Sequence, residues 1–355
     1  MTKHGNFKKN VRRHQQETGQ RYTDALTDLE NIEARMLHEP IADRLLSHLR
    51  DRYGLDPIAA TQISQHNKHV FRIDRSDGHP YVARAFPPAR PKAAVAGDAA
   101  ILRFLERHSY PSERLAFDDA VSEFDGVAVL VTTFVGGQPL PEGSAKIGMM
   151  GDLLGRLHTL APDDTVRRAG GAGGDDPRRA GSPRQDLLAA LTFLDAVSAK
   201  ITAAHSELFE RLRERVSTAD DGSGLTQALL HGNLLHNPDH ALLTTTGPVA
   251  INWKSAGIGS RLADIANLLW GARWAAADGI QVAVSAYREH IALTVEELDR
   301  LEAVMFIRPL YLTCLDYRRA VIQGGQPDGS EDWWGFIDPE HIRTTAAAAR
   351  EAFIR

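Results

Sequence analysis

Between Leu229 and His240 the chain reads LLHGNLLHNPDH, a run with three histidines, two asparagines and one aspartate. Such residues can hold a metal, move a proton or orient a polar ligand, and their spacing discriminates among these roles. His231, His236 and His240 match no compact zinc-ligand set, and the one cysteine, Cys314, is far along the chain, so zinc is not expected. Asp239 follows Pro238, a place that suits a turn-capping carboxylate better than a replacement base. Asn233 and, in the later phrase VAINWKSAG, Asn252 are amides. An amide accepts a hydrogen bond but takes no proton near neutral pH, and it offers a hard cation such as magnesium only a neutral oxygen.

Those residues need elements to position them. Residues 6–37 read as two short helices with a basic cluster of Lys3, Lys8, Lys9, Arg12 and Arg13; this is a solvated face that could also meet an acidic protein partner. From 39 onward a helix (Ile41 to Tyr53) gives way to strand-like TQISQHNKHVFRID, a turn at Ser76-Asp77-Gly78, and PYVARAF, which reads as a hairpin. AAVAGDAAILRFLERHS has helical spacing, ERLAFDDAVSEF is strand-like, and Asp125-Gly126 turns into the apolar VAVLVTTFV. Beyond GGQPLPEG the chain becomes mainly helical, interrupted over 163–184 by a Gly, Arg, Asp and Pro-rich segment that reads as a flexible loop. The expected organisation is an N-terminal extension (1–38), a small mixed lobe (39–134) and a helical lobe (135–355), an α+β fold.

Composition narrows the partners. The 355 residues carry a net charge of -5, with 43% hydrophobic and 25% charged residues, a globular mixture poorly suited to nucleic acid or an anionic membrane. No run approaches the ~20 apolar residues of a spanning helix, and a single thiol fits a reducing compartment, so the expected location is the cytoplasm. Trp253, Trp270, Trp274, Trp333 and Trp334, with the acids Asp316, Asp328, Glu331 and Asp332, are candidates for a ligand pocket, although tryptophans at helical spacing belong more often to a core.

The order of short phrases carries more than any one of them. YVARAF, GDAAILRFLE, VTTFVGGQPL, GRLHTL, LLHGN, VAINWKSAGIGSRLADIANLLW and YREHIALTVEELDRL follow one another as in the aminoglycoside phosphotransferase and choline kinase family, which the chain resembles over roughly residues 40–320. The resemblance implies a protein-kinase-like pair of lobes with ATP between them. It also implies a loop of the form H-G-D-x-x-x-x-N followed by a strand carrying I-D-W. On that pattern His231 and Gly232 match, Asn233 stands at the catalytic aspartate, and the metal-binding asparagine falls on Pro238, with Asn237 one step early. The metal-binding aspartate falls on Asn252, while Asp264 matches a structural aspartate.

The same resemblance puts Arg84 in the place of the phosphate-pairing lysine, with Lys68 as a second candidate, and Asp98 as the helix partner of Arg84. Asn67 falls in the phosphate loop, and Val131 to Thr133 on the strand whose backbone meets adenine. Loss of a general base removes typically ~10²- to 10⁴-fold in rate. The expectation is a degenerate kinase that binds ATP or another small molecule, with magnesium doubtful; the alternative is a working ATP-dependent O-phosphotransferase with an altered base.

Overall fold

A computed structural model describes residues 41–63, 69–76, 78–86, 90–171, 182–234, 240–325 and 337–355. The expected N-terminal helices, Asn67, Lys68, Asn237, Asp239 and the Trp333-Trp334 pair lie outside the described residues. The chain divides into two compact units, the first comprising residues up to Arg107 together with Ser112–Gly136, the second His108–Pro111 and Gly137–Arg355.

Among the described residues the first unit is a five-stranded antiparallel sheet with two helices. Helix α1 (Ile41–Tyr53) begins with Asp43 and ends with Arg50 and Arg52, charges that suit its dipole. Strands β1 (Pro57–Gln62), β2 (Val70–Arg75) and β3 (Tyr81–Ala85) precede helix α2 (Lys92–Arg107), after which come β4 (Val121–Phe124) and β5 (Val127–Thr133). The sheet order is β1-β2-β3-β5-β4. The β4–β5 turn works because Asp125 and Gly126 both take positive φ, the conformation a two-residue hairpin needs.

Leu45 and Leu49 of α1 pack on Phe71, Ile73, Ala83, Ala85, Val129 and Val131. Because strand side chains alternate, Val82 and Arg84 lie on the opposite face of β3 from that core. Of the expected strand ERLAFDDAVSEF only Val121–Phe124 forms one; the preceding residues run beside β5 through single bonds, among them Thr133 N to Arg114 O at 2.8 Å.

The second unit is mainly helical. It contains β6 (Gln138–Pro139), α3 (Ser144–His158), α4 (Asp164–Gly171), α5 (Pro183–Asp195), α6 (Ser206–Thr218), β7 (Gln227–Leu230), β8 (Ala241–Thr244), β9 (Gly247–Ala250) and β10 (Gly257–Ser260). Helices α7 (Arg261–Ala275), α8 (Gly279–Arg288), α9 (Val295–Met305), α10 (Ile307–Ile322) and α11 (Pro339–Ile354) complete it. β6, β8 and β9 form one small sheet, and β7 pairs with β10 in another. His108–Pro111 join this unit because Tyr110 is buried, donates from its hydroxyl to Leu153 O at 3.0 Å and meets the Trp253 ring edge-on.

The flexible loop expected over 163–184 is corrected in its first third. Residues 164–171 form helix α4, whose start is fixed by Asp163 accepting from Val166 N at 2.9 Å while Val166 is fully buried. Glycine content had obscured that anchor; residues 172–181 lie outside the described ones. Helices α5, α6 and α10 share a core of Leu187, Leu194, Leu212, Leu310, Cys314 and Tyr317. α3 and α8 approach closely at Gly151, where a Cβ would sit 2.7 Å from Ala283 O. Among the described residues no helix is long and apolar enough to cross a membrane.

Candidate functional site

In the second unit the site is built on the loop leaving β7. Asp264, in the first turn of α7, accepts hydrogen bonds from His231 N at 2.8 Å and Gly232 N at 3.1 Å. Two backbone donors on one buried carboxylate fix the loop's path, and Gly232 turns it at φ 74°, where any other residue would be strained. Behind Asp264, His158 Nε2 lies 3.7 Å from its carboxylate, and His158 Nδ1 is 2.9 Å from the Tyr287 hydroxyl. Burial pushes the Tyr287 phenol far above its ordinary range, so it stays neutral.

His231 is fully buried, lies edge-on to Trp253 at 4.6 Å between ring centres, and donates from Nε2 to Ile251 O at 3.0 Å. Its ring therefore ties the loop to the backbone just before Asn252. Asn252 adopts the left-handed conformation (φ 69°, ψ 54°), which asparagine tolerates better than most residues. Trp253 is core, whereas Trp274 is exposed and stacked on His341. The two do not share a pocket wall.

Asn233 is partly exposed, and its amide is held from both ends. Its Oδ1 accepts from Arg308 Nη2 at 3.1 Å, and its Nδ2 lies 3.3 Å from His240 Nε2. Arg308, on α10, also donates to Asp186 at 3.0 and 3.2 Å and to Gly232 O at 3.3 Å. Asp186 and Arg308 are both buried. The sequence reading missed this pair. A signal existed: Asp186 shares a helix face with Ala190 and Leu194, and a charge at a core-facing position is nearly always paired. Nothing in the spacing pointed to α10 as the source of its partner.

In the first unit the expected Arg84–Asp98 pair is corrected. Asp98 receives Arg90 Nη2 at 2.5 Å, both side chains being almost wholly buried. Arg90 precedes α2 and also lies over the Phe86 ring. Asp98 is one methylene shorter than glutamate, and the nearer guanidinium takes it. Arg84 is 9% exposed, its Nε is buried without a hydrogen-bond partner, and among the described residues no carboxylate pairs with it.

The stretch expected to meet adenine is bonded along the sheet. Val131 N donates to Ala120 O at 3.0 Å, Val131 O accepts from Ala116 N at 3.1 Å, and the Thr133 amide is used by Arg114 O. The Val131 side chain belongs to the core. These bonds hold this side of β5 to the residues before β4. Among the described residues no group of three or more His, Cys, Asp or Glu side chains could hold a metal ion.

No curated protein matches the chain. Solved structures share its fold at low identity. Amicoumacin kinase hAmiN, in complex with AMP-PNP, Ca2+ and Ami, is 14% identical with a TM-score of 0.60, over 89% of this chain and 96% of that one. Macrolide 2'-phosphotransferase MphH from Brachybacterium faecium is 22% identical, with a TM-score of 0.51 over 86% and 98% of the two chains. Choline kinase LicA from Streptococcus pneumoniae is 11% identical, with a TM-score of 0.53 over 86% and 98%. The fold is therefore the two-lobed α+β one of these kinases. A family model spans residues 59–302, well over half of the length, and on that match the chain belongs to the APH phosphotransferase enzyme family.

Proposed function

We propose that this chain is a catalytically degenerate member of its family, a pseudokinase that binds a nucleotide, with ATP as the first candidate, together with a second small molecule. One observation carries the reading: Asn233, at the base position, gives its amide oxygen to the guanidinium of Arg308. A group so placed neither takes a proton from a hydroxyl nor invites magnesium, because an amide is not basic near neutral pH and a positive guanidinium already sits against its oxygen. Asn252, at the position of the family's metal-binding aspartate, adds no charge. The described donor set does not fit magnesium.

Arg84 supports the nucleotide half. A buried guanidinium with which, among the described residues, no carboxylate pairs suits a phosphate, which it can grip with two parallel bonds. The similar amicoumacin kinase was solved with AMP-PNP. Cytoplasmic residence is part of the same proposal.

Thermal denaturation with ATP, in magnesium and in chelator, tests it. A ligand at 100 times its dissociation constant adds ~2.7 kcal/mol of stability. A shift of equal size in both conditions is expected; no shift in either refutes nucleotide binding. The second reading, an active O-phosphotransferase, is favoured by the intact scaffold of His231, Gly232 and Asp264. Robust magnesium-dependent transfer of the γ-phosphate by the unaltered protein would establish it and overturn the first.

A further inference from the structure

The amide of Asn233 has a fixed polarity. Arginine carries only donors, so the atom facing Arg308 Nη2 must be the amide oxygen, and the Nδ2 side must face His240. His240 Nε2 then accepts, which requires the tautomer with its proton on Nδ1. Turning the amide over would set an NH2 group against a guanidinium. That guanidinium does not yield, since Asp186 and Gly232 O hold it through three further bonds.

One hydrogen of Nδ2 goes to His240, and among the described residues no acceptor takes the other. Asn233 is partly exposed, so this N–H is what the loop offers to a ligand. A carboxylate at this point would present lone pairs and a negative charge, welcoming a hydroxyl proton or an ammonium. Here the polarity is reversed: a donor stands in front of a guanidinium, and among the described residues the two neighbouring carboxylates are buried and engaged, Asp186 by Arg308 and Asp264 by the backbone of His231 and Gly232. An ammonium has only donors and finds no partner at Asn233. An oxyanion finds an N–H and a favourable field.

We infer that the small molecule seated at Asn233 carries an oxyanion, a carboxylate or a phosphate, and that amine-rich ligands are disfavoured there. This deepens the proposed binding role and rests on it. The chemistry asks only for recognition, with no bond made or broken.

The test observes the Asn233 side-chain amide directly. In protein labelled with ¹⁵N at asparagine, its cross-peaks are assigned by their loss in Asn233→Ser or Asn233→Asp, whichever folds. Glucose 6-phosphate, gluconate and glucosamine are then titrated at constant ionic strength, the first two separating phosphate from carboxylate. A saturable displacement by either oxyanion, at least ~tenfold tighter than any response to glucosamine, a difference of ~1.4 kcal/mol, is expected. Equal or tighter binding of glucosamine, or no displacement by both oxyanions, overturns the inference. ATP titrated into a separate sample reports on the nucleotide reading, so either can fail without the other. In Asn233→Asp the preference between oxyanion and amine should reverse, which a fold-preserving structural role would not produce.

Discussion

Arg84→Met should stabilise the protein in the absence of ligand while removing its response to nucleotide. Methionine keeps most of the buried stem and discards the charge. Arg84 is 9% exposed, its buried Nε has no hydrogen-bond partner, and among the described residues no carboxylate compensates its charge. A buried unsatisfied group costs about 1–3 kcal/mol, more when charged. Relief of that cost raises the melting temperature by ~2–4 °C per kcal/mol for a domain of 150–250 residues, hence roughly 2–12 °C overall. The assay is differential scanning fluorimetry in a phosphate-free buffer, because inorganic phosphate would itself sit on Arg84 and raise the unaltered protein. Added ATP should shift the unaltered protein and leave Arg84→Met where it was. A variant destabilised by more than ~1 kcal/mol, or one that still responds to ATP like its parent, would refute the reasoning and make Arg84 a structural residue.

Three further outcomes follow from the geometry. Asp186→Ala leaves Arg308 buried and uncompensated and should cost about 3–5 kcal/mol in urea unfolding, whereas Asp186→Leu with Arg308→Met should cost far less; equal losses would show that the pair is not coupled. Burial raises the Glu297 carboxyl, but hydrogen bonds from Arg261 and Thr294 outweigh it and hold the pKa below its ordinary value. That contribution is therefore present above the unfolded carboxylate range and lost as pH falls through the lowered folded value. Glu297→Gln should flatten the acid limb of a stability–pH curve, and an unchanged limb counts against the pairing. Burial pushes the Cys314 thiol up to about 12, so it should ignore a thiol-specific disulfide reagent at pH 8 until the protein is unfolded, and reaction in the native state would place it elsewhere.

Much of the architecture was legible along the chain. Apolar spacing marked α1 and α2, and the Asp125-Gly126 turn fixed the β4–β5 hairpin, because these signals are local: a period, a cap, a positive-φ residue. Neutral amides at 233 and 252 were visible as letters. Ion-pair partners were not, because a guanidinium on a long stem reaches whichever carboxylate the packing brings near. Asp98 turned to Arg90, eight residues before it, rather than to Arg84 across the strand–helix connection.

What Asn233 does was decided by tertiary structure alone. The letter says only that the side chain is an amide, and an amide can face a ligand with its oxygen or with its nitrogen. Arg308 lies 75 positions further along the chain, and its contact turns the oxygen inward and the N–H outward. Sequence determined that the position is uncharged; the arrival of α10 with its arginine, anchored by Asp186 from α5, determined its polarity. Spacing rules describe neighbours on one element, and this choice was made by side chains from helices that meet only after folding.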